Sequence, residues 1–324
     1  MSKCALILGV SGQDGSYLAK YLLAQNYQVV GLSRDAQANN FDGLRALQIL
    51  DKVTLDSISS VDFRSVAQVF QRYQPDEVYN LAGQSSVGLS FDQPVETIES
   101  HLQTTITILE VMKFLDWPIR FYNACSSECF GDVSSQSPAN ELTAFRPKSP
   151  YALAKAASFW AVANYRESYG LYACSGILGN HESPLRPARF VTQKIIHTAD
   201  QISQDLSDKI VLGNIDVIRD WGLAAEYVEA MHLMLQQSVA TDFVIASGHS
   251  ASLRQFLEYA FQAYDLQIDE FLETEASLFR PTDIQACYLD PKKAEDKLDW
   301  KANASVKEVV THLVDAQKGL VKKI

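Results

Sequence analysis

Apolar and polar positions along the first half of the chain switch between two periods. Short apolar runs rich in β-branched residues at 5–8, 28–32, 77–81, 120–125, 172–178 and 242–246 have the length and composition of buried strands. Stretches at 17–25, 63–73, 97–115 and 151–169 repeat apolar residues every three or four positions, as amphipathic helices do. Strand, helix and strand in turn predict βαβ units, hence an α/β chain on an open, doubly wound parallel sheet with its ligands at the carboxyl ends of the strands. Beyond about residue 179 the pattern loosens, with prolines at Pro184, Pro187 and Pro281. There 221–237 reads as a helix and 242–246 as a strand that rejoins the sheet. The expected division is a first domain of residues 1–179 with about 215–247, and a smaller, discontinuous one of 180–214 and 248–324.

Composition narrows the function classes. With 324 residues, 47% of them hydrophobic, the chain can bury the cores of about two domains of ~150 residues. A formal net charge of -11 speaks against a nucleic-acid partner, which requires a basic face. A phosphate in a pocket needs only a few placed cations, and Arg186, Arg189, Arg219 and Arg280 fall in the looser region. No apolar run is long enough to span a membrane and no secretory leader pattern opens the sequence, so no membrane partner and a cytoplasmic location are expected. The five cysteines (Cys4, Cys125, Cys129, Cys174, Cys287) have neither CxxC nor metal-ligand spacing, so we read them as reduced thiols and expect no metal.

The first apolar run leads into Gly9-Val10-Ser11-Gly12-Gln13-Asp14-Gly15 and then a helix. Glycines there permit a tight turn and let backbone N–H groups approach a pyrophosphate at the helix N-terminus. The GxxGxxG spacing alone is weak; its place between a strand and a helix makes it a dinucleotide signal. The second run ends in Ser33-Arg34-Asp35, where an arginine would accommodate the 2′-phosphate of NADP and an acid the ribose of NAD. Arg34 makes NADP the expected cofactor, with NAD as the alternative. After the third run, Leu81-Ala82-Gly83-Gln84-Ser85 offers small residues that can lie flat against the cofactor, although an ordinary strand-to-loop transition has the same composition.

Tyr151 and Lys155 stand four residues apart, one helical turn, so both face the same side. A free phenol titrates near ~10, and a nearby ammonium would lower that value toward usefulness as a base. YxxxK also occurs on solvated helix faces, so its weight comes from the glycine loop upstream. Ser126 and Glu128 directly follow an apolar run, and extended geometry would turn both toward one cleft. Oxidising a sugar alcohol needs a base, a hydride acceptor and a hydroxyl donor; Tyr151, a nicotinamide and Ser126 fill these roles. The resulting ketone acidifies the neighbouring carbon, and Glu128 is placed to remove that proton and expel a hydroxyl as water. A plain dehydrogenase or epimerase has no use for the extra carboxylate.

These segments resemble the extended short-chain dehydrogenase/reductase family, with its Rossmann-type sheet, and within it the GDP-mannose 4,6-dehydratases, over almost the whole chain. The discriminating matches are Asn180-His181-Glu182-Ser183-Pro184 and Arg219-Asp220-Trp221-Gly222, supported by the glycine loop, Tyr79-Asn80-Leu81 and Pro147-Lys148-Ser149-Pro150-Tyr151. The resemblance implies a nucleotide-sugar 4,6-dehydratase; an epimerase or 4-keto reductase on the same scaffold is the alternative. It places the catalytic set on Ser126, Glu128, Tyr151 and Lys155, with serine where the family has threonine. Cofactor contacts fall on Gly9, Ser11, Gly12, Gln13, Asp14, Arg34, Leu81, Ala82, Gln84, Tyr151, Lys155, His181 and Arg186. Those to the GDP-sugar fall on Ser85, Asn180, Lys194, Arg219 and Arg280. A homodimer through the helices at 97–115 and 151–169 is implied, with a homotetramer as the alternative. The chain departs from the family at Arg34-Asp35, where arginines are paired, in the loop 36–40, which lacks the usual serines, at Glu96 for a tyrosine and at Gly179 for a phenylalanine.

Overall fold

In the computed structural model, which describes residues 2–320, the first strand, β1 (Cys4–Leu8), is buried at every position. A strand covered on both faces has no use for alternation, which is why its sequence is an unbroken apolar run. The remaining strands are β2 (Gln28–Ser33), β3 (Thr54–Ser57), β4 (Glu77–Asn80), β5 (Arg120–Ser126), β6 (Tyr172–Leu178), β7 (Asn180–Glu182), β8 (Ile210–Leu212), β9 (Ile218–Leu223), β10 (Phe243–Ile245), β11 (Ser250–Ser252) and β12 (Leu272–Thr274). Seven strands form one sheet in the order β10-β6-β5-β4-β1-β2-β3, and all neighbours run parallel. The chain winds outward from β1 to β3 and then resumes on the other side at β4. The crevice beyond the carboxyl ends of β1 and β4 is therefore the switch point at which α/β sheets bind ligands.

Helices cover both faces. Tyr17, Leu18 and Leu22 of the helix Gln13–Ala24 join Tyr227, Met231 and Leu235 of Ala224–Gln236 in one core. Val66 and Phe70 of Phe63–Tyr73 join Ile108 and Met112 of Thr104–Leu115 in the other. A separate core, around Ile195, Phe256 and Leu313, lies beneath a small sheet of order β11-β9-β7. Among the described residues no helix is long and apolar enough to cross a membrane.

Two sequence expectations require correction. The helix read over 221–237 begins at Ala224; Ile218–Leu223 is instead β9, pairing parallel with β7 and antiparallel with β11. The apolar run continues across the junction, so period could not locate it, and the marker is Gly222, whose missing Cβ would lie 2.3 Å from the Tyr227 ring. The helix read over 97–115 is interrupted by a π-helical turn, Glu99–Gln103. Strand β3 was not anticipated: Thr-Leu-Asp-Ser at the sheet edge carries little apolar pattern.

Candidate active site

A cavity of about 620 Å³ opens at the carboxyl ends of β1, β4, β5 and β6. Asp14, Leu81, Ser85, Ser126, Glu128, Tyr151 and Lys155 line it together with Asn180, His181, Arg186, Arg219 and Arg280.

The helix Pro150–Tyr169 starts sharply because Ser149 accepts the Ala152 N–H at 3.1 Å and Pro150 occupies the first turn. That start sets Tyr151 and Lys155 into the cavity. Lys155 is nearly buried; its ammonium donates to the Ala124 carbonyl at 2.7 Å and lies 5.8 Å from the centre of the Tyr151 ring. Burial pushes the Tyr151 phenol up from its ordinary value, with the Ser126 hydroxyl pulling the other way, and burial lowers Lys155. The expected lowering of the phenol by Lys155 is therefore not met by these residues alone. Desolvation outweighs an ammonium that is committed to a carbonyl.

Extended geometry does not persist past Ser126, contrary to expectation. Ser127–Phe130 forms a 3-10 turn capped by Ser126, whose Oγ accepts the Glu128 N–H at 3.3 Å. The turn still delivers Glu128 into the cavity. There Glu128 Oε1 lies 3.3 Å from Nε of Arg219, a residue 5% exposed. Arg219 Nη1 donates to the carbonyls of Ile218 at 3.0 Å and Ile284 at 2.8 Å, and Nη2 to Asp283 at 3.2 Å. Asp283 also pairs with Arg280 at 3.0 Å.

The glycine loop fits a dinucleotide. Gly9 has φ +84°, and its missing Cβ would lie 2.9 Å from the Leu81 backbone; a Cβ on Gly15 would lie 2.3 Å from the Gly9 carbonyl. Gly12 caps the helix without a side-chain acceptor, leaving first-turn N–H groups for an anion. Gln13 is turned inward, accepting from Ser183 Oγ at 2.8 Å and donating to the His181 carbonyl at 3.2 Å. His181 places Nε2 3.0 Å from Asp14 Oδ2, gives Nδ1 to the Gly179 carbonyl at 2.8 Å, and stacks on Tyr227 at 4.7 Å. Burial alone would raise Asp14, but His181 holds its carboxyl at about 2; burial would lower His181, and Asp14 raises it.

Several predicted residues stand off the cavity wall. Gly9, Ser11 and Gly12 form the loop beside it, and Ala82 follows Leu81 on the facing turn. The Gln84 side chain donates inward to the Ser86 carbonyl and to Thr97. Arg34 is exposed, whereas Asp35 Oδ1 accepts the N–H groups of Gln37 and Ala38 at 2.9 and 3.0 Å. Lys194 is directed away, donating to the Val211 carbonyl at 2.7 Å. Cys125 and Cys129 bring their sulfurs within 3.7 Å, and burial holds the Cys129 thiol well above its ordinary value, as befits inert thiols.

Sequence reading missed His101, which is 3% exposed and projects from the π-turn. Its Nε2 donates to the Gln84 carbonyl at 2.8 Å, while Ser100 Oγ accepts the Gln84 N–H at 3.2 Å. Its ring meets Tyr151 edge-on at 5.5 Å and fills the space above Gly83, where a Cβ would come within 2.2 Å. Burial, then the charge of Lys155, holds His101 well below its usual value and thus neutral. No period or motif marks a single histidine inside an apolar helix; the irregular turn that aims it is visible only in three dimensions. Arg189 also lines the cavity and was not assigned as a ligand.

The model of the GDP-mannose 4,6-dehydratase family matches residues 6–313. The chain is 38% identical to the GDP-mannose 4,6-dehydratase of Vibrio cholerae, covering 97% of this chain and 93% of that one. It is 40% identical to GDP-mannose 4,6 dehydratase 1 of Arabidopsis thaliana, over 99% and 91%. The chain belongs to the GDP-mannose 4,6-dehydratase family. Solved structures share the fold: UDP-glucose 4-epimerase of Thermus thermophilus in complex with NAD superposes with TM-score 0.85 at 24% identity, covering 98% of this chain and all of that one. RMD from Pseudomonas aeruginosa complexed with NADPH superposes with TM-score 0.79 at 20% identity, over 99% of each. Within the GDP-mannose 4,6-dehydratase family, then, this chain presents Ser126, Glu128, Tyr151 and Lys155 around one cavity, beside a loop shaped for a dinucleotide.

Proposed function

We propose that the chain converts GDP-mannose to GDP-4-keto-6-deoxymannose by internal redox dehydration, with NADP retained and regenerated. The observation that carries this is Glu128, a carboxylate in the same cavity as the Ser126–Tyr151 pair. Bound in the cleft, an oxidised nicotinamide would supply the acceptor for the C4 hydride and its return to C6. Tyr151 takes the C4 hydroxyl proton, and Ser126, whose Oγ already accepts from the Glu128 N–H, donates its own proton to the sugar oxygen. Glu128 removes the C5 proton; the electron pair forms the C5–C6 double bond as the C6–O bond breaks, and Glu128 returns the proton to the departing hydroxide as water. Return of hydride to C6 would be completed by a proton delivered to C5, with Tyr151 giving back the one it took from the C4 hydroxyl, so electrons and protons both balance within the sugar and no reductant is consumed.

Arg34, exposed and with no ion pair among the described residues, supports NADP, and the neighbouring Asp35 commits one of its carboxylate oxygens to its own turn. Asn180, Arg280 and Arg189 on the cavity wall are the groups we assign to the GDP-sugar. Residues 1–179 with about 215–247 form the cofactor part, and 180–214 with 248–324 the sugar part. Exposed Trp160 and Phe114 on the two long helices favour a homodimer, and the five buried thiols a reducing, cytoplasmic setting. The test is incubation of the purified chain with GDP-mannose and no added reductant, followed by mass. Loss of one water from the sugar is expected; an isomer of unchanged mass, or product only with added NADPH, would identify an epimerase or a reductase instead.

A further inference from the structure

We propose that Asp132 is a positioning residue, a clip that couples seating of the nucleotide sugar on Arg280 to the alignment of Tyr151 and Glu128; the inference rests on the dehydratase reading above. Asp132 stands two residues past the 3-10 turn that carries Glu128. Between them, Gly131 has φ +74°, and its missing Cβ would lie 2.5 Å from the Arg146 carbonyl oxygen, so a glycine is needed where the chain passes the segment that leads into the helix Pro150–Tyr169. From there one carboxylate reaches two further elements. Oδ2 pairs with the Lys148 ammonium, and Oδ1 accepts the N–H groups of Gln285 at 2.6 Å and Ala286 at 3.4 Å. Neither N–H has a main-chain partner among the described residues. Thr282 closes the same junction by donating its hydroxyl to the Lys148 carbonyl. Burial would raise the Asp132 carboxyl, but Lys148 and the two N–H groups hold it below its ordinary value, so it carries its charge at neutral pH. A partly exposed ion pair alone contributes little. What distinguishes this one is the second oxygen, which adds charge-assisted bonds to the main chain.

The place of the clipped segment gives the clip its role. Residues 279–283, Arg280 among them, line the cavity, and the stretch that follows them runs between two supports. On one edge is β9, whose Ile218 N–H bonds the Gln285 carbonyl at 2.8 Å and whose Ile218 carbonyl accepts the Cys287 N–H at 3.1 Å. On the other are Asp132 and Val133, whose N–H bonds the Ala286 carbonyl at 2.8 Å. Lys148 directly precedes Ser149, which caps the helix that bears Tyr151. A pull on 282–286 therefore reaches both catalytic segments, through Lys148 the start of that helix and through Asp132 the turn that bears Glu128. Without the clip Arg280 can still meet a phosphate, but its seating no longer sets the two reacting groups. Misplacing a reacting group by about an ångström costs ~10²-fold in rate, so a start loosened by part of that distance should cost ~10-fold.

The experiment compares wild type with Asp132→Ala, Thr282→Val and Thr282→Ser, each checked for folding by thermal melting. Wild type is first shown to release water from GDP-mannose; failure there defeats the dehydratase reading itself, while the coupling is still read from amide hydrogen exchange with and without GDP. In wild type, GDP should slow exchange at 279–283 and also at 151–153. In Asp132→Ala the first protection should stay and the second be lost. Turnover should follow: kcat falls ~10-fold in Asp132→Ala and in Thr282→Val, and Thr282→Ser, which keeps the hydroxyl, restores the wild-type value. The Kd for GDP by calorimetry should stay within about threefold in all of them. Should Asp132→Ala fail to fold, Thr282→Val carries both readouts. Wild-type kcat in the folded variants, or GDP protection at 151–153 that survives in them, overturns the proposal. So does a rise of about tenfold in the GDP Kd with kcat at saturating substrate intact, which would make the clip a support of binding alone.

Discussion

Nε2 of His181 lies 3.0 Å from Oδ2 of Asp14, so β7 closes directly on the first turn of the helix after the glycine loop. Beside this pair, Ser183 donates to Gln13 at 2.8 Å and Gln13 donates to the His181 carbonyl at 3.2 Å. Strand β7 and the glycine loop are thereby one hydrogen-bonded unit. The acidic Asp14 would repel a pyrophosphate if free; pairing with His181 neutralises it.

This pairing makes stability depend on pH. His181 is raised by Asp14, so its contribution is complete below the unfolded histidine value of ~6.5 and is lost as pH rises through the raised folded value. Asp14 is lowered to about 2, so its contribution exists above the unfolded ~3.9 and is lost only as pH falls toward about 2. Replacing His181 by Gln should therefore lower the Tm most near pH 5 to 6, by roughly 1 kcal/mol of unfolding free energy, and progressively less in alkaline buffer. Melting curves of both proteins across that range check it; a Tm difference independent of pH would show that stacking on Tyr227, not charge, is what His181 contributes.

Glu128→Gln keeps the size of the side chain and can still accept from Arg219, but removes the base. We expect water loss to fall by ~10²- to 10⁴-fold, the usual value of a positioned acid or base, while oxidation at C4 proceeds. Mixing the variant with GDP-mannose should leave reduced nicotinamide on the enzyme and no deoxy product. Full dehydration by this variant would remove Glu128 from the mechanism.

The sheet was legible in the sequence because six of its seven strands are buried runs and the seventh, β3, is the polar edge. Ser126, Glu128, Tyr151 and Lys155 were legible because each stands at a strand end or helix start that local rules identify. What was not legible depends on partners far along the chain. Nothing near Arg219 in sequence announces Glu128 or Asp283 as neighbours, and nothing near Lys194 announces that Val211 takes its ammonium. The direction of the Tyr151 shift was misjudged for the same reason: a spacing reveals the adjacent cation but not the depth of burial.

His101 holds both the Gln84 carbonyl and the edge of the Tyr151 ring, and two substitutions separate these contacts. His101→Phe keeps a ring above Gly83 and beside Tyr151 but leaves the Gln84 carbonyl without its donor, a cost of ~1–3 kcal/mol for a buried group. Retention of nicotinamide after gel filtration should drop about tenfold, with kcat at saturating cofactor nearly unchanged. His101→Ala loses the ring as well and should lower kcat too. Wild-type retention in the phenylalanine variant would mean that the hydrogen bond does not shape the cofactor wall.

On the proposed NADP reading, cofactor choice turns on Arg34 and Asp35, the two residues that follow β2. Asp35 spends one carboxylate oxygen on the N–H groups of Gln37 and Ala38, while Arg34 stays exposed. A charge-assisted bond from Arg34 to the 2′-phosphate is worth ~1.5–3 kcal/mol, so Arg34→Ala should raise the Kd for NADP by about 10- to 100-fold and leave that for NAD unchanged. Both constants follow from titrating the stripped enzyme with each dinucleotide. Because the bond is ionic and solvent-exposed, the wild-type preference for NADP should also shrink with added salt, and in Arg34→Ala that salt dependence should be gone. Equal affinity of the wild type for NAD and NADP at low salt would assign Arg34 to the surface and leave the glycine loop indifferent to the phosphate.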